Sequence, residues 1–293
     1  MDRALVYIDG EYFEKDNAKI SVFDHGFLYG DGVFESIRCY NGNVFGLQEH
    51  IERLYESAKL INLEIPETRE KMINLVCETI KRTKLKDAYV RLVISRGIGD
   101  LGLDPKKCPE PSTVIIAQQA DPMYGDLYDK GISVITVGVR RIASDAIDVR
   151  AKTLNYLNNI LAKIQANIAG CQEALMLNHL GYVCEGTGDN LFIVKKGDIL
   201  TPPTESGALK GITRQFIFEL SEKLNISCKE KNLTSIDVYT CDEAFMTGTL
   251  AEIVPVVEID DRKIGNGKPG LITKKLMEEF VEIREEYGVG VYK

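Results

Sequence analysis

Ala151-Lys152-Thr153-Leu154-Asn155-Tyr156-Leu157 sets a lysine and a tyrosine four residues apart, just ahead of an apolar periodicity. Leu154, Leu157, Leu161, Ile164 and Ile168 recur at helical spacing and stop at Gly170. The spacing predicts a helix over 153–169 with Lys152 at its mouth. On that reading Lys152 and Tyr156 share one helix face. The positive end of a helix dipole repels a cation. A lysine placed there and buried would be held toward its neutral, nucleophilic form. The plain alternative is a surface lysine turned to solvent, with Tyr156 a core aromatic whose hydroxyl reaches the edge.

The chain around this segment has 293 residues and a net charge of -8. That length favours two domains over one. An acidic surface argues against nucleic acid or an anionic membrane as the main partner. No apolar run approaches the ~20 residues that span a bilayer. Residues 1–10 read as a strand entering a turn, without the apolar centre of a signal peptide. The seven cysteines are scattered without a C-x-x-C pair, and His25, His50 and His179 match no metal-binding spacing. Each histidine reads as structural or surface. The expectation is a cytoplasmic protein with reduced thiols and no metal.

Asp9-Gly10 and Asn41-Gly42 are hairpin signals. Leu47, Ile51, Leu54 and Ala58 form one helical stripe, and Met72, Val76 and Ile80 a second. Residues 87–96 alternate as a strand, with Tyr89 and Arg91 on one side, and 113–118 form another. Asp121-Pro122-Met123-Tyr124-Gly125-Asp126 punctuates the chain. We therefore expect a domain over 1–121, a linker over 122–130 and a second domain over 131–293. Strands are expected at 132–139, 173–178, 182–185, 190–194 and 243–247, and helices at 211–224 and 269–286. This irregular mixture is α+β rather than a regular parallel array.

Three further segments could carry chemistry. Cys184-Glu185-Gly186-Thr187-Gly188-Asp189-Asn190 puts a glutamate at a strand end before two glycines, where backbone can approach a ligand. Leu209-Lys210-Gly211-Ile212-Thr213-Arg214 opens a helix whose free N–H groups suit an anion. Its plain alternative is Thr213 as a helix cap. Met246-Thr247-Gly248-Thr249-Leu250 ends a strand in further backbone and hydroxyl donors, or is an ordinary turn. An amine, a carboxylate, a phenol and two phosphate-type donor clusters together match the needs of pyridoxal phosphate.

With these segments the chain resembles the fold-type IV pyridoxal-phosphate enzymes, and most closely the branched-chain amino acid aminotransferases. The likeness runs from Tyr7 to about Lys275. It rests on Tyr29-Gly30-Asp31-Gly32-Val33-Phe34-Glu35, Arg53-Leu54, Tyr89-Val90-Arg91, Lys152 to Leu157, Glu185 to Phe192, Leu209 to Arg214 and Gly248 to Pro255. It implies a two-domain, D-amino acid aminotransferase-like fold: a small N-terminal α/β domain and a larger pseudo-barrel domain that binds the cofactor. It also implies Lys152 as the Schiff-base lysine and proton shuttle, Glu185 on the pyridine nitrogen and Tyr156 on the ring oxygen. Arg53, Ile212, Thr213 and Thr249 would hold the phosphate, with Leu209 against the ring. Phe34, Tyr89 and Arg91 match substrate-pocket positions, and the Thr249-Leu250 backbone would take the α-carboxylate. Tyr29 matches a position that serves the neighbouring subunit, in a family whose active unit is a homodimer, often assembled into hexamers.

The implied reaction is ping-pong transamination between L-leucine, L-isoleucine or L-valine and 2-oxoglutarate. Rivals on the same fold are D-amino acid aminotransferase or (R)-amine transaminase activity and aminodeoxychorismate lyase. Three departures bear on side-chain preference. Ser36 stands where many bacterial enzymes have glycine, Leu250 replaces a small residue, and the loop from Arg96 to Pro105 is unusual.

Overall fold

A computed structural model describes residues 4–292, so the first three residues of the expected N-terminal strand lie outside the described residues. The chain forms two compact units. The first comprises Met1–Asp121, Ala151–Asn155 and Ile283–Lys293; the second comprises Pro122–Arg150 and Tyr156–Glu282.

In the first unit the elements are β1 (Leu5–Ile8), β2 (Glu11–Glu14), α1 (His25–Tyr29), β3 (Gly32–Tyr40), β4 (Asn43–Phe45), α2 (Leu47–Leu60), α3 (Arg69–Thr83), β5 (Ala88–Ser95) and β6 (Ser112–Gln119). A terminal strand, Gly288–Gly290, pairs with β4, giving a seven-stranded sheet in the order terminal strand-β4-β3-β5-β6-β1-β2. Every pairing in it is antiparallel. The two helical stripes become its core. Leu47, Ile51, Leu54 and Ala58 of α2 and Met72, Val76 and Ile80 of α3 pack on Val33, Ile37, Val90, Leu92 and Ile115. Period two leaves Phe34 and Ser36 of β3, with Tyr89 and Arg91 of β5, on the opposite sheet face.

The second unit contains α4 (Leu127–Lys130), β7 (Ile132–Thr136), α5 (Leu157–Ala169), β8 (Glu173–Leu177), β9 (Val183–Glu185), β10 (Asn190–Lys195), β11 (Asp198–Thr201), α6 (Ile212–Lys223), β12 (Cys228–Glu230), α7 (Ser235–Tyr239), β13 (Glu243–Gly248), β14 (Glu252–Ile259) and β15 (Arg262–Lys263). Helix α8 (Leu271–Arg284) follows and runs into the segment that rejoins the first unit. The nine-stranded sheet has the order β12-β11-β10-β13-β14-β7-β8-β9, with β15 on β14. The β12–β11, β14–β7 and β7–β8 pairs are parallel. Leu175, Val183, Leu191, Ile193, Met246 and Val254 form its core.

One expectation is corrected. Helix α5 starts at Leu157, not at residue 153, and Lys152 lies outside it. The Phe34 N–H donates to the Lys152 carbonyl at 3.0 Å, and Leu154 N–H to the Gly32 carbonyl at 2.9 Å. An antiparallel bridge between Val33 and Thr153 lies between them. These bonds to β3 hold 152–154 out of the helix, so Lys152 and Tyr156 do not share a helix face and the dipole argument does not apply to Lys152. The apolar stripe of α5 does not face the sheet. Leu157, Leu161, Ile164 and Ile168 are exposed, whereas Ala162 and Ala166 pack under β8 with Ala174 and Met176.

Candidate active site

In the first unit, the candidate residues gather around the start of β3. The Lys152 backbone is fixed twice, by its carbonyl on Phe34 and by its N–H, which donates to Ser57 Oγ at 3.0 Å. Ser57 in turn donates to the Arg53 carbonyl at 2.7 Å, so α2 ties Lys152 to Arg53. Lys152 Nζ lies 4.5 Å from the Phe34 ring centroid. The Arg91 guanidinium lies 4.4 Å from the same ring and donates from Nη2 to the Tyr89 hydroxyl at 2.9 Å. Tyr89 donates onward to Ser36 Oγ at 2.9 Å.

Arg53 is buried, and its Nε and Nη2 both donate to the Glu35 carboxylate at 2.7 Å. His50 Nδ1 donates to Glu35 Oε2 at 2.7 Å. Burial opposes charge on Glu35, but the Arg53 and His50 contacts outweigh it and hold the carboxyl far below its ordinary range. For His50 burial wins: it disfavours the imidazolium, Arg53 and Lys152 add repulsion, and together they overcome the attraction of Glu35. Tyr29 stands apart from this group. Its ring packs edge-on against His25, and its hydroxyl accepts the Gly102 N–H at 3.0 Å. The Arg96–Pro105 loop is thereby fastened to α1, helped by His25 Nε2 donating to the Asp100 carbonyl at 3.0 Å.

In the second unit, Glu185 ends β9 and is 4 % exposed. Its Oε1 pairs with Arg141 Nη2 at 2.8 Å. Its Oε2 accepts the Leu209 N–H at 2.8 Å and Asn190 Nδ2 at 3.2 Å. Asn190 also donates to the Leu209 carbonyl, which fixes the chain entering α6. Gly211 caps α6 without a side-chain bond, so Thr213 sits inside the first turn and is not the cap. A β-carbon at Gly211 would fall 2.2 Å from Asn190 Oδ1, so any other residue would displace the Asn190 carboxamide. Ile212, half-buried, and Thr213, buried, therefore present first-turn N–H groups that no side chain caps. Thr249 and Leu250 lie in the turn from β13 to β14, which closes with Glu252 at a φ of +55°. Tyr156 is the half-buried residue that precedes α5.

Sequence reading missed the residues that hold the others in place. His50, read as structural or surface, braces Glu35. Glu35 lies inside a quoted motif, and its burial with Arg53 could be suspected from α2, where His50 and Arg53 flank the apolar Ile51 and Leu54. Arg141 and Ser57 carry no local signal, whereas Asn190 closes the quoted glutamate segment without having been given a role. Among the described residues no His, Cys, Asp and Glu cluster could hold a metal, and no helix is long and apolar enough to cross a membrane.

The chain matches the family described as Amino-transferase class IV over residues 32–259. It is 36 % identical to the branched-chain-amino-acid aminotransferase of Salmonella typhimurium over 94 % of this chain and 91 % of the relative. A Methanocaldococcus jannaschii protein, provisionally named for the same activity, is 54 % identical over 98 % of this chain and 99 % of its own. A solved structure of the Thermobaculum terrenum branched-chain amino acid aminotransferase, in its pyridoxal-phosphate holo-form, superposes with a TM-score of 0.89 at 27 % identity, covering 99 % of this chain and 98 % of that one. The chain belongs to the class IV amino-transferases, which are fold-type IV pyridoxal-phosphate enzymes, and among them to the branched-chain-amino-acid aminotransferases.

Proposed function

We propose that this enzyme transfers the amino group between L-leucine, L-isoleucine or L-valine and 2-oxoglutarate in two half-reactions on one cofactor, with Lys152 as the amine that carries that cofactor. The donor sets fit pyridoxal phosphate. Glu185 is a carboxylate held in place by Arg141, Asn190 and a backbone N–H, and the start of α6 is an uncapped set of N–H groups that an anion suits. When bound, the cofactor supplies an electron sink for the pair left at the substrate α-carbon.

The chain's own groups do the rest. Lys152 Nζ moves the proton between the substrate α-carbon and C4′ of the cofactor. Glu185 keeps a proton on the pyridine nitrogen, and Tyr156 donates to the ring oxygen. Arg53, Ile212, Thr213 and Thr249 would hold the phosphate, and the Leu209 side chain would pack on the ring. The Thr249 and Leu250 N–H groups take the α-carboxylate. Tyr29 serves the site of a second copy in a homodimer, which can assemble further into a hexamer.

The observation that carries the substrate reading is the Phe34, Tyr89 and Arg91 group beside Lys152. One pocket must take an apolar side chain in one half-reaction and a carboxylate in the other. Arg91 stacks on Phe34 and is restrained by the Tyr89 hydroxyl, so its charge is available to a carboxylate while its flat face covers apolar surface. The norvaline complex of the Thermoproteus uzoniensis branched-chain aminotransferase, 38 % identical with a TM-score of 0.92 and covering 98 % of this chain and 99 % of that one, supports an apolar amino acid substrate.

The test follows the visible absorbance of the holoenzyme in single half-reactions with L-leucine, L-glutamate, D-alanine and (R)-1-phenylethylamine. Bleaching by the first two is expected. A response to D-alanine without one to L-leucine overturns the assignment, and pyruvate release from aminodeoxychorismate without any 2-oxo acid would make the enzyme a lyase.

A further inference from the structure

Thr247 is 1 % exposed, and its Oγ1 finds no hydrogen-bond partner among the described residues. A buried hydroxyl left unsatisfied costs stability, so its retention needs a reason. Its position supplies one. β13 pairs with β10 so that Thr247 stands directly opposite Asn190, and directly opposed side chains share a sheet face within about 5 Å at Cβ. Two residues back on the same face, Phe245 stacks on Phe192 with ring centroids 5.0 Å apart, and Phe192 meets Phe218 of α6 at 6.2 Å. This face therefore lies under α6. The Asn190 carboxamide reaches Leu209 and packs against Gly211, which is level with the start of the helix. Thr247, paired directly with Asn190, stands on the same sheet face at that level.

We propose that the Thr247 hydroxyl is a further donor to the cofactor phosphate, completing from the sheet side the set of donors that α6 supplies from above. The proposal rests on the reading of the α6 N-terminus as the phosphate site. Its energetic signature has two opposite signs. Thr247→Val keeps the shape and deletes an unpaired hydroxyl, so the apoenzyme should lose no stability. The same variant should bind pyridoxal phosphate about tenfold more weakly, as for one lost hydrogen bond to a charged group.

The experiment titrates apoenzyme with pyridoxal phosphate and, separately, with pyridoxal, and records the thermal midpoint of each apoprotein. Thr247→Val should weaken pyridoxal phosphate about tenfold, leave pyridoxal within about twofold, and keep or raise the apo midpoint. Thr247→Ser should restore the phosphate preference. Unchanged pyridoxal phosphate affinity in Thr247→Val, or equal losses for both ligands, overturns the proposal. Thr213→Ala separates the two readings. If it erodes the preference for the phosphorylated ligand and Thr247→Val does not, Thr247 alone is excluded. If neither does, the phosphate site is not at α6.

Discussion

In the first unit Glu35 is the wholly enclosed member of its pair with Arg53, whereas in the second Arg141 is the wholly committed member of its pair with Glu185. Both Glu35 oxygens are taken up, by Arg53 Nε and Nη2 and by His50 Nδ1. Arg141 gives all three: Nε to the Gly207 carbonyl, Nη1 to Asn159 and Nη2 to Glu185. Glu185 uses three of about four lone-pair sites on these neighbours. Glu35 is thus the saturated member of one pair and Arg141 the saturated member of the other. The number of supporting partners, and not the pair itself, decides which member is saturated.

The largest expected effects come from removing the enclosed partner. Glu35→Ala strands the buried Arg53, and Arg141→Met strands Glu185; each should cost roughly 3–5 kcal/mol by urea denaturation. Replacing both members with apolar residues, Glu35→Leu with Arg53→Met or Arg141→Met with Glu185→Leu, should recover most of that stability. Neither double variant should recover function: the first should bind pyridoxal phosphate poorly, and the second should bind it with little turnover. A Glu35→Leu/Arg53→Met enzyme with unimpaired cofactor affinity would break the comparison, because Arg53 would then be no more than a counter-ion.

Acid should act on the Glu35–His50 pair and on Asp189 with opposite signs. Glu35 and His50 both titrate below their ordinary values, so the stability they give the first unit is present above those values and is lost as pH falls, from about 6.5 for His50 and from about 4 for Glu35. In the second unit Asp189 is buried near the Glu173 carboxylate, and burial, reinforced by that charge, pushes it up to about 7. Its ionisation is disfavoured in the fold, so its cost grows as pH rises from about 4 to about 7 and is absent in acid. Asp189→Asn should therefore gain on wild type over that window, by at most a few kcal/mol at ~1.4 kcal/mol per unit. His50→Gln, which keeps a neutral donor to Glu35, should lose less than wild type below about pH 6.5. Denaturation midpoints between pH 4 and 8 give both slopes, and parallel slopes for Asp189→Asn and wild type would remove the contrast.

Much of this arrangement could be read from the chain, and the parts that could not share a cause. Strand alternation put Tyr89 and Arg91 on one face because period two is a local property. The α2 stripe points inward as expected. The α5 stripe does not, because periodicity reports that an apolar face exists and says nothing of what covers it; alanines, which allow close approach to the sheet, take the inner side. Lys152 escapes its expected place for a related reason. Its conformation is set by bonds to Gly32 and Phe34, more than a hundred residues earlier, and no window around residue 152 contains them. Arg141 and His50 likewise acquire their roles only from partners brought together by the fold.

The smallest expected effect asks whether the first unit holds Arg53 and Lys152 as one piece. Ser57 accepts the Lys152 N–H and donates to the Arg53 carbonyl, so a single hydroxyl spans both. Ser57→Ala leaves the Lys152 N–H without that acceptor and should cost about 1–2 kcal/mol of stability. If the tie positions the amine, kcat should fall several-fold with little change in pyridoxal-phosphate affinity, because Arg53 keeps its grip on Glu35. Ser57→Thr retains the hydroxyl and should keep most of the rate. A stability loss in Ser57→Ala with kcat unchanged would make the hydroxyl a helix-packing contact alone, and the Lys152 backbone would then owe its position to β3.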